Sequence, residues 1–215
     1  MAEFERLQLD DTSWVDVARG WLGDLGVDLD AALADVLANT RWQGSRLYKY
    51  DHWVEENRLG AMWRPGEPVP HPALLDAHRA LQHRYNVRFE GFAILQYRNE
   101  RDGQAFHRDR DMRWCEDTLI GILTLGATRP WLLRPRAHRN DHALENKGAT
   151  HDLAPAAGDL FVLGGRCQAD WEHSVPPIHR RTDVRLSAQW RWTSKAGRPE
   201  VGASYRAPQH YSRGR

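Results

Sequence analysis

The segment Phe106-His107-Arg108-Asp109-Arg110-Asp111 sets an imidazole and a carboxylate two positions apart. In extended backbone, residues i and i+2 face the same way, so His107 and Asp109 can offer two ligands to one ion. His173 supplies a third candidate: it follows a β-rich run and the glycine turn Gly164-Gly165, where a neighbouring strand would carry it alongside the first pair. Two histidines and one carboxylate on one face of an octahedron leave three positions open, the arrangement used by non-haem Fe(II) oxygenases. In a chain with 11 histidines an HxD arises by chance, so a second feature has to carry weight. That feature is Arg185 and Arg191, six apart on one face of a strand-like run that follows His173 closely. An inward-facing arginine pair is costly unless it meets anions. A dicarboxylate cosubstrate would supply them, one guanidinium forming a bidentate pair with its distal carboxylate. Taken alone, the same spacing also suits a solvated strand face.

These side chains need elements to hold them. Residues 28–39 begin with Asp28, suited to N-capping, and repeat apolar residues at helical spacing. A second helix is expected over about 72–85, with Pro72 in its first turn, Leu74, Leu75, Ala77, Leu81 and Tyr85 on one side, and Asn86 as its stop. From Phe89 onward come short runs bounded by turn residues: 89–97, 118–125, 130–134, 159–163 and 183–192. Their length and β-rich composition predict strands, and the lack of helical patterns between them predicts an antiparallel sandwich or barrel. The expected order is helices first, β-domain after, with no internal repeat.

Composition narrows the class. The 215 residues hold 30 Lys+Arg against 29 Asp+Glu and 41% hydrophobic residues, as expected of one soluble domain. No window approaches 18 uninterrupted apolar residues and the first residues are acidic, so neither a membrane span nor a leader is expected, and the expected location is cytoplasmic. Cys115 and Cys167 cannot build a disulfide framework and read as buried thiols. Charge is uneven: residues 1–36 carry nine carboxylates and two arginines, whereas 195–215 carry five cations and one carboxylate. Ten tryptophans exceed what a core of this size needs, so some are expected at a recognition surface.

The ordered set Tyr97, His107 to Asp111, Leu125-Gly126-Ala127-Thr128-Arg129, Gly158 to Gly165, Trp171-Glu172-His173 and Arg185 to Arg191 resembles the AlkB family of Fe(II)- and 2-oxoglutarate-dependent dioxygenases, in particular its bacterial members. The resemblance covers about residues 92–192 and extends more weakly toward residue 40. It implies an α+β fold with a double-stranded β-helix core, jelly-roll and cupin-like, flanked by N-terminal helices. It divides the chain into an acidic helical extension (1–40), a dioxygenase domain (41–194) with a nucleotide-recognition lid at about 41–63, and a flexible basic tail (195–215). His107, Asp109 and His173 would hold Fe(II), and O2 would be the oxidant. Arg185 would pair with the far carboxylate of 2-oxoglutarate, Tyr97 would hydrogen-bond the cosubstrate, and Arg191 would complete the site. One departure stands out: the family's usual Asn two residues before the tyrosine is Leu95 here, and Gln96 points to the other face of a regular strand.

The implied reaction is oxidative N-demethylation of nucleobases in DNA or RNA, with loss of formaldehyde, by a monomeric repair enzyme. Methylated adenine and cytosine are cationic, so aromatic faces and a carboxylate suit them. Trp42, Tyr48 and Tyr50 fall in the lid region, and Asp111 falls where a base-contacting Asp is found in the family. Arg41, Arg46, Lys49 and Arg58, or Arg129, Arg134, Arg136 and Arg139, could track phosphates of single- or double-stranded nucleic acid, Arg129 being the one placed at the substrate. Two rivals remain at this point: hydroxylation of a small molecule, modified RNA or protein side chain, and a non-catalytic nucleic-acid-binding module whose HxD and His hold Zn²⁺ or nothing.

Overall fold

Every residue from Thr118 to Leu125 is buried, and the strand that they form with Gly126 divides its side chains between two cores. Leu119, Leu123 and Leu125 join one apolar cluster, while Ile120 and Ile122 join another on the opposite face. This is the alternation of a central strand covered on both sides. The neighbouring strands repeat it. Leu160 and Val162 go one way and Phe161 and Leu163 the other; Phe92 and Ile94 go one way and Leu95 and Tyr97 the other.

The chain is described here by a computed structural model covering residues 3–49, 51–109, 111–136 and 150–194. In chain order the strands are β1 (Glu5–Gln8), β2 (Ser13–Ala18), β3 (Gln43–Lys49), β4 (His52–Trp63), β5 (Phe92–Tyr97), β6 (Gln104–His107), β7 (Thr118–Gly126), β8 (Leu132–Pro135), β9 (His151–Asp152), β10 (Leu160–Gly165), β11 (Trp171–Val175) and β12 (Arg185–Thr193). The helices are α1 (Trp21–Asp24), α2 (Leu29–Asn39), α3 (Ala73–Tyr85) and α4 (Cys167–Asp170). An eight-stranded sheet runs β1-β2-β10-β7-β12-β5-β4-β3, and a four-stranded sheet runs β6-β11-β8-β9. The strand pairings among the described residues are antiparallel, and the two facing sheets form the expected jelly roll.

Helices α1, α2 and α3 cover one face of the large sheet with Trp21, Leu22, Ala32, Val36, Leu74, Ala77 and Leu81. The smaller sheet covers the other face through Leu133, Trp171 and Val175. Asp28 caps α2 by accepting from the backbone N–H groups of Asp30 and Ala31 at 3.1 and 3.0 Å, as its position suggested. Asn86 ends α3 in the left-handed conformation.

The order of elements differs from expectation. Residues 5–18 are not a helical extension: β1 and β2 extend the large sheet, β2 pairing with β10 from Ala18↔Leu160 to Ser13↔Gly165. The lid region is likewise a β3–β4 hairpin added to β5. The tail 195–215 lies outside the described residues. No helix of the described residues is long and apolar enough to cross a membrane.

Candidate metal centre and substrate cavity

The alternation of β12 decides what faces the space between the sheets. Leu186, Ala188 and Trp190 enter the helix-side core, so Arg185, Ser187, Gln189 and Arg191 take the opposite face. On the smaller sheet, β6 and β11 are paired with His107 directly opposite His173. Asp109 follows β6 by two residues, and ligand atoms of His107, Asp109 and His173 lie within 4.8 Å of one another.

The loop that carries Asp109 is held by α4, the helical turn leading into β11. The Asp109 N–H donates to Gln168 Oε1 at 2.8 Å, and Arg108 donates to the carbonyls of Ala169 at 3.1 Å and Arg113 at 3.3 Å. The two halves of the ligand set are thus tied together through the side chains of Gln168 and Arg108. His107 Nδ1 lies 2.9 Å from the Ala105 carbonyl, which fixes that nitrogen as the N–H and leaves Nε2, 3.6 Å from Asp109 Oδ1, as the ligand. Asp109 Oδ2 accepts instead from Arg191 Nε at 2.5 Å, and Arg191 Nη2 donates to Gln189 Oε1 at 2.5 Å. The His173 ring packs 4.2 Å from the His107 ring and stacks at 5.6 Å and 16° on Trp131.

Protonation suits a divalent ion. Burial lowers His107, and burial together with His107 pushes His173 down to about 3, so both imidazoles are neutral near pH 7. Burial alone would raise Asp109, but the Arg191 charge and the two imidazoles outweigh it and hold the carboxyl well below its usual range. Two neutral imidazoles and a carboxylate are the donors Fe(II) takes, and His173 Nδ1 is buried without a hydrogen-bond partner among the described residues.

The cosubstrate side is marked by Arg185, which is 0% exposed. Its Nη2 lies 3.4 Å from Thr124 Oγ1, while Nε and Nη1 have no partner among the described residues. Burial pushes its guanidinium down to about 10, still cationic at neutral pH. An uncompensated buried cation of this kind is the feature a distal carboxylate would complete. Tyr97 sits opposite Arg185 in the β5–β12 register, with the guanidinium carbon 5.6 Å from its ring centroid. Leu95 lines the cavity where the family's Asn would stand; β5 runs without a bulge, and Gln96 takes the other face.

A cavity of about 700 Å³ runs from the metal ligands to the β3–β4 hairpin. Tyr97, Asp111, Arg191 and Arg41 line it. Three expected residues do not serve as foreseen. Trp42 packs against the helix-side core and donates its indole N–H to the Leu37 carbonyl at 3.1 Å, so it is a packing residue outside the cavity. Arg129 is 1% exposed and donates to the carbonyls of Asn99, Asp102 and Pro176 at 3.0, 2.8 and 2.8 Å, which makes it a clamp on three loop segments rather than a substrate contact. Arg58 is buried in the cavity wall rather than set out for phosphates, donating to Tyr97 Oη at 3.2 Å and Glu56 Oε1 at 3.1 Å. Arg134 is engaged by Glu172 at 2.9 Å, and Arg46 lies 3.9 Å from Glu55 on the surface. Tyr48 lies on β3 opposite Trp53. Tyr50 and Arg139 lie outside the described residues.

Sequence reasoning missed Glu56, Trp131, Gln168 and Gln189. Glu56 left a signal, repeating with Arg58 and Gly60 at a period of two, and so did Gln189, which falls on the strand face shared by Arg185 and Arg191.

The model of the 2OG-Fe(II) oxygenase superfamily matches residues 31–202. The chain belongs to that superfamily. Within it the chain is AlkB-like. It is 26% identical over 152 residues to the Bos taurus alpha-ketoglutarate-dependent dioxygenase alkB homolog 3, covering 71% of this chain and 50% of that protein. The Homo sapiens protein of the same name is 24% identical over 152 residues with the same coverage. This chain therefore spans about half the length of the curated relatives it matches. Among solved structures, a Trichoplax adhaerens prolyl hydroxylase in complex with a hypoxia inducible factor peptide superposes with a TM-score of 0.61 at 12% identity, covering 84% of each chain. OsALKBH1 superposes at 0.51 and 14% identity over 87% of this chain and 99% of that one. At these identities the structures speak for the fold alone. Fe(II), 2-oxoglutarate and O2 are the family's requirements, and the donor set and the buried guanidinium fit the first two.

Proposed function

We propose that this protein removes methyl groups from ring nitrogens of nucleobases in DNA or RNA, by oxidation dependent on Fe(II), O2 and 2-oxoglutarate. The observation that carries the reading is the cavity itself. Its inner end holds His107, Asp109 and His173, its outer end is walled by the β3–β4 hairpin, and its lining mixes rings with carboxylates, Trp131 and Tyr97 beside Glu56 and Asp111. That lining suits one flat, cationic base drawn out of its stack. The relationship to alkB homolog 3 points the same way.

Iron supplies, with 2-oxoglutarate and O2, an oxidant able to hydroxylate an N-methyl carbon, the cosubstrate leaving as succinate and CO2. The protein's own residues position and shield. Arg185 would take the distal carboxylate of 2-oxoglutarate, with the Tyr97 ring beside that guanidinium. Arg191 holds one oxygen of Asp109 so that the other stays directed at the ligand set. Trp131, stacked on His173, covers the metal ligands on one side and keeps water from them. The hydroxymethyl group left on the base nitrogen then loses formaldehyde, returning the N–H or the free ring nitrogen.

A panel of singly methylated oligonucleotides, incubated with Fe(II), ascorbate and 2-oxoglutarate and read by mass spectrometry, tests the reading. At least one methylated base is expected to revert, and His173→Ala is expected to stop it. Oxidation of 2-oxoglutarate with every methyl group left in place would overturn the nucleobase assignment and favour a small-molecule or protein substrate.

A further inference from the structure

Strands β4, β5 and β12 lie side by side, and their registers set a row of side chains across the inner face of the large sheet. Arg185 pairs with Tyr97, and because Leu59 pairs with Gln96, Arg58 stands at the other flank of Tyr97. One tyrosine thus has a buried guanidinium on either side, Arg58 at 9% exposure and Arg185 at 0%. Their surroundings differ. Arg58 lines the cavity together with His107, Asp109 and His173, whereas Arg185 lies across the Tyr97 ring from it, next to Thr124 Oγ1.

Arg58 is set in place by the protein itself. Its Nη1 donates to Tyr97 Oη at 3.2 Å and its Nη2 to Glu56 Oε1 at 3.1 Å, and Glu56 in turn accepts from the Ser45 hydroxyl. Glu56 also offsets the buried charge, a counterion that the described residues do not give Arg185. The next row in the direction of Arg191 is apolar on these strands: Gly60 pairs with Leu95, and a Cβ at Gly60 would come within 3.5 Å of the leucine side chain. On β12 the polar side chains of this face are tied to one another, Arg191 donating to Gln189 and Gln189 to Ser187 at 3.1 Å. Where β4 and β5 wall the cavity beside the metal ligands, a carboxylate therefore meets a guanidinium held in a fixed direction. A pair of this kind is stronger than a hydrogen bond from a neutral group.

We propose that Arg58 is a second cosubstrate arginine, holding the carboxylate beside the keto group of 2-oxoglutarate while Arg185 holds the distal one, with Tyr97 between them. The assignment follows from which cation faces the metal ligands and which lies beyond the tyrosine. It holds whichever substrate the iron oxidises.

Without oxygen, Fe(II) and 2-oxoglutarate bound together give a weak visible charge-transfer band whose energy reports the charge near the keto acid. Titration of the natural chain gives its position and the Kd for 2-oxoglutarate. Arg58→Met is expected to raise that Kd by about tenfold or more, the scale of one charge-assisted hydrogen bond. It is also expected to move the band to shorter wavelength, because a cation beside the keto acid stabilises the electron density that the ligand receives in the transition. Arg185→Met is expected to raise the Kd and leave the band in place, since the distal carboxylate is remote from the keto group. Should Arg58→Met fail to fold, as judged by its melting temperature, Arg58→Gln keeps a donor for Tyr97 while losing the charge, and the same two changes are expected. In a folded variant an unmoved band overturns the proposal: with a raised Kd it would make Arg58 a brace for Tyr97 alone, and with an unchanged Kd a residue of the wall. An unchanged Kd overturns it even where the band moves. A natural chain that gives no band overturns it together with the cosubstrate role of Arg185.

Discussion

Asp109 serves two partners at once, Oδ1 turned to the His107 ring at 3.6 Å and Oδ2 to Arg191 at 2.5 Å. Removing Arg191 would leave a buried carboxylate free to rotate and easier to protonate. Arg191→Met is therefore expected to weaken metal binding by about 10- to 100-fold, the usual cost of losing a group that orients a ligand; titration with Mn(II) followed by electron paramagnetic resonance checks it. Arg185 poses the opposite case, a buried cation completed only by cosubstrate. Replacing an uncompensated buried charge with an apolar chain of similar volume relieves its desolvation. Arg185→Met is expected to stabilise the ligand-free protein by about 1 kcal/mol or more and to abolish the rise in melting temperature that 2-oxoglutarate gives the metal-loaded protein. A destabilised variant that still responds to 2-oxoglutarate would contradict that role. The two arginines could be singled out in the sequence because they share a strand face with spacing of six. Arg129 could not be told from them, since its partners are backbone carbonyls of Asn99, Asp102 and Pro176, and nothing in the sequence marks where those carbonyls gather.

At the scale of elements, legibility follows burial. Strands β5, β7, β10 and β12 lie inside the sheet with apolar residues on one or both faces, and α2 and α3 carry capping residues and one-sided apolar patterns, so all six show in the sequence. The edge strand β1 and the half of β4 that pairs with β3 alone do not. Glu5 to Gln8 has only Leu7 partly covered, and most of His52 to Asn57 faces solvent, so neither gives a hydrophobic alternation. Strand β2 hides for another reason. Its Asp16 is 1% exposed, against expectation for a carboxylate, because Arg6 donates to it at 2.7 Å and Tyr85 Oη at 2.8 Å from α3. Trp42 was misplaced by its neighbours' chemistry: an aromatic among basic residues suggests recognition, yet its indole turns back to the Leu37 carbonyl. The sheet's extension by β1–β2 also depends on a close approach. A Cβ at Gly164 would lie 2.0 Å from the Trp14 ring. Gly164→Ala is therefore expected to displace that ring and destabilise the protein by about 1–3 kcal/mol, as overpacking does, measured by urea unfolding. A loss within about 0.5 kcal/mol would show that β2 can lift away at little cost.

The whole molecule puts its chemistry and its largest aromatic packing on opposite faces of one sheet, and a single strand carries both. Gln189 and Arg191 face the cavity, while Trp190 between them is fully buried on the helix side and donates its indole N–H to His78 Nδ1 at 3.1 Å. His78 stands between Trp63 and Phe89, with Phe92 bridging Trp63 to Trp190. Burial, and then the neighbouring charge of Arg79, lowers the His78 pKa from 6.5. Only the neutral ring can accept from Trp190, so protonation breaks the bond and sets a cation among three aromatic side chains and the helix-side core. The sign follows from linkage. With the folded pKa below the unfolded one, the unfolded chain binds more protons as pH falls, so the stabilisation is complete above 6.5 and is lost as pH drops through the folded value. His107 and His173 are lowered in the same direction and add to the loss in the metal-free protein, which is why the comparison needs a variant. His78→Gln keeps an acceptor for Trp190 and does not titrate. Melting temperatures from pH 7.5 to 5 are expected to fall in both proteins but less steeply in the variant, each kcal/mol being worth about 2–4 °C in a chain of this size. Parallel curves would mean that His78 releases Trp190 at no cost, and that the register of β12, and with it the placing of Arg191 against Asp109, does not depend on the packing beneath.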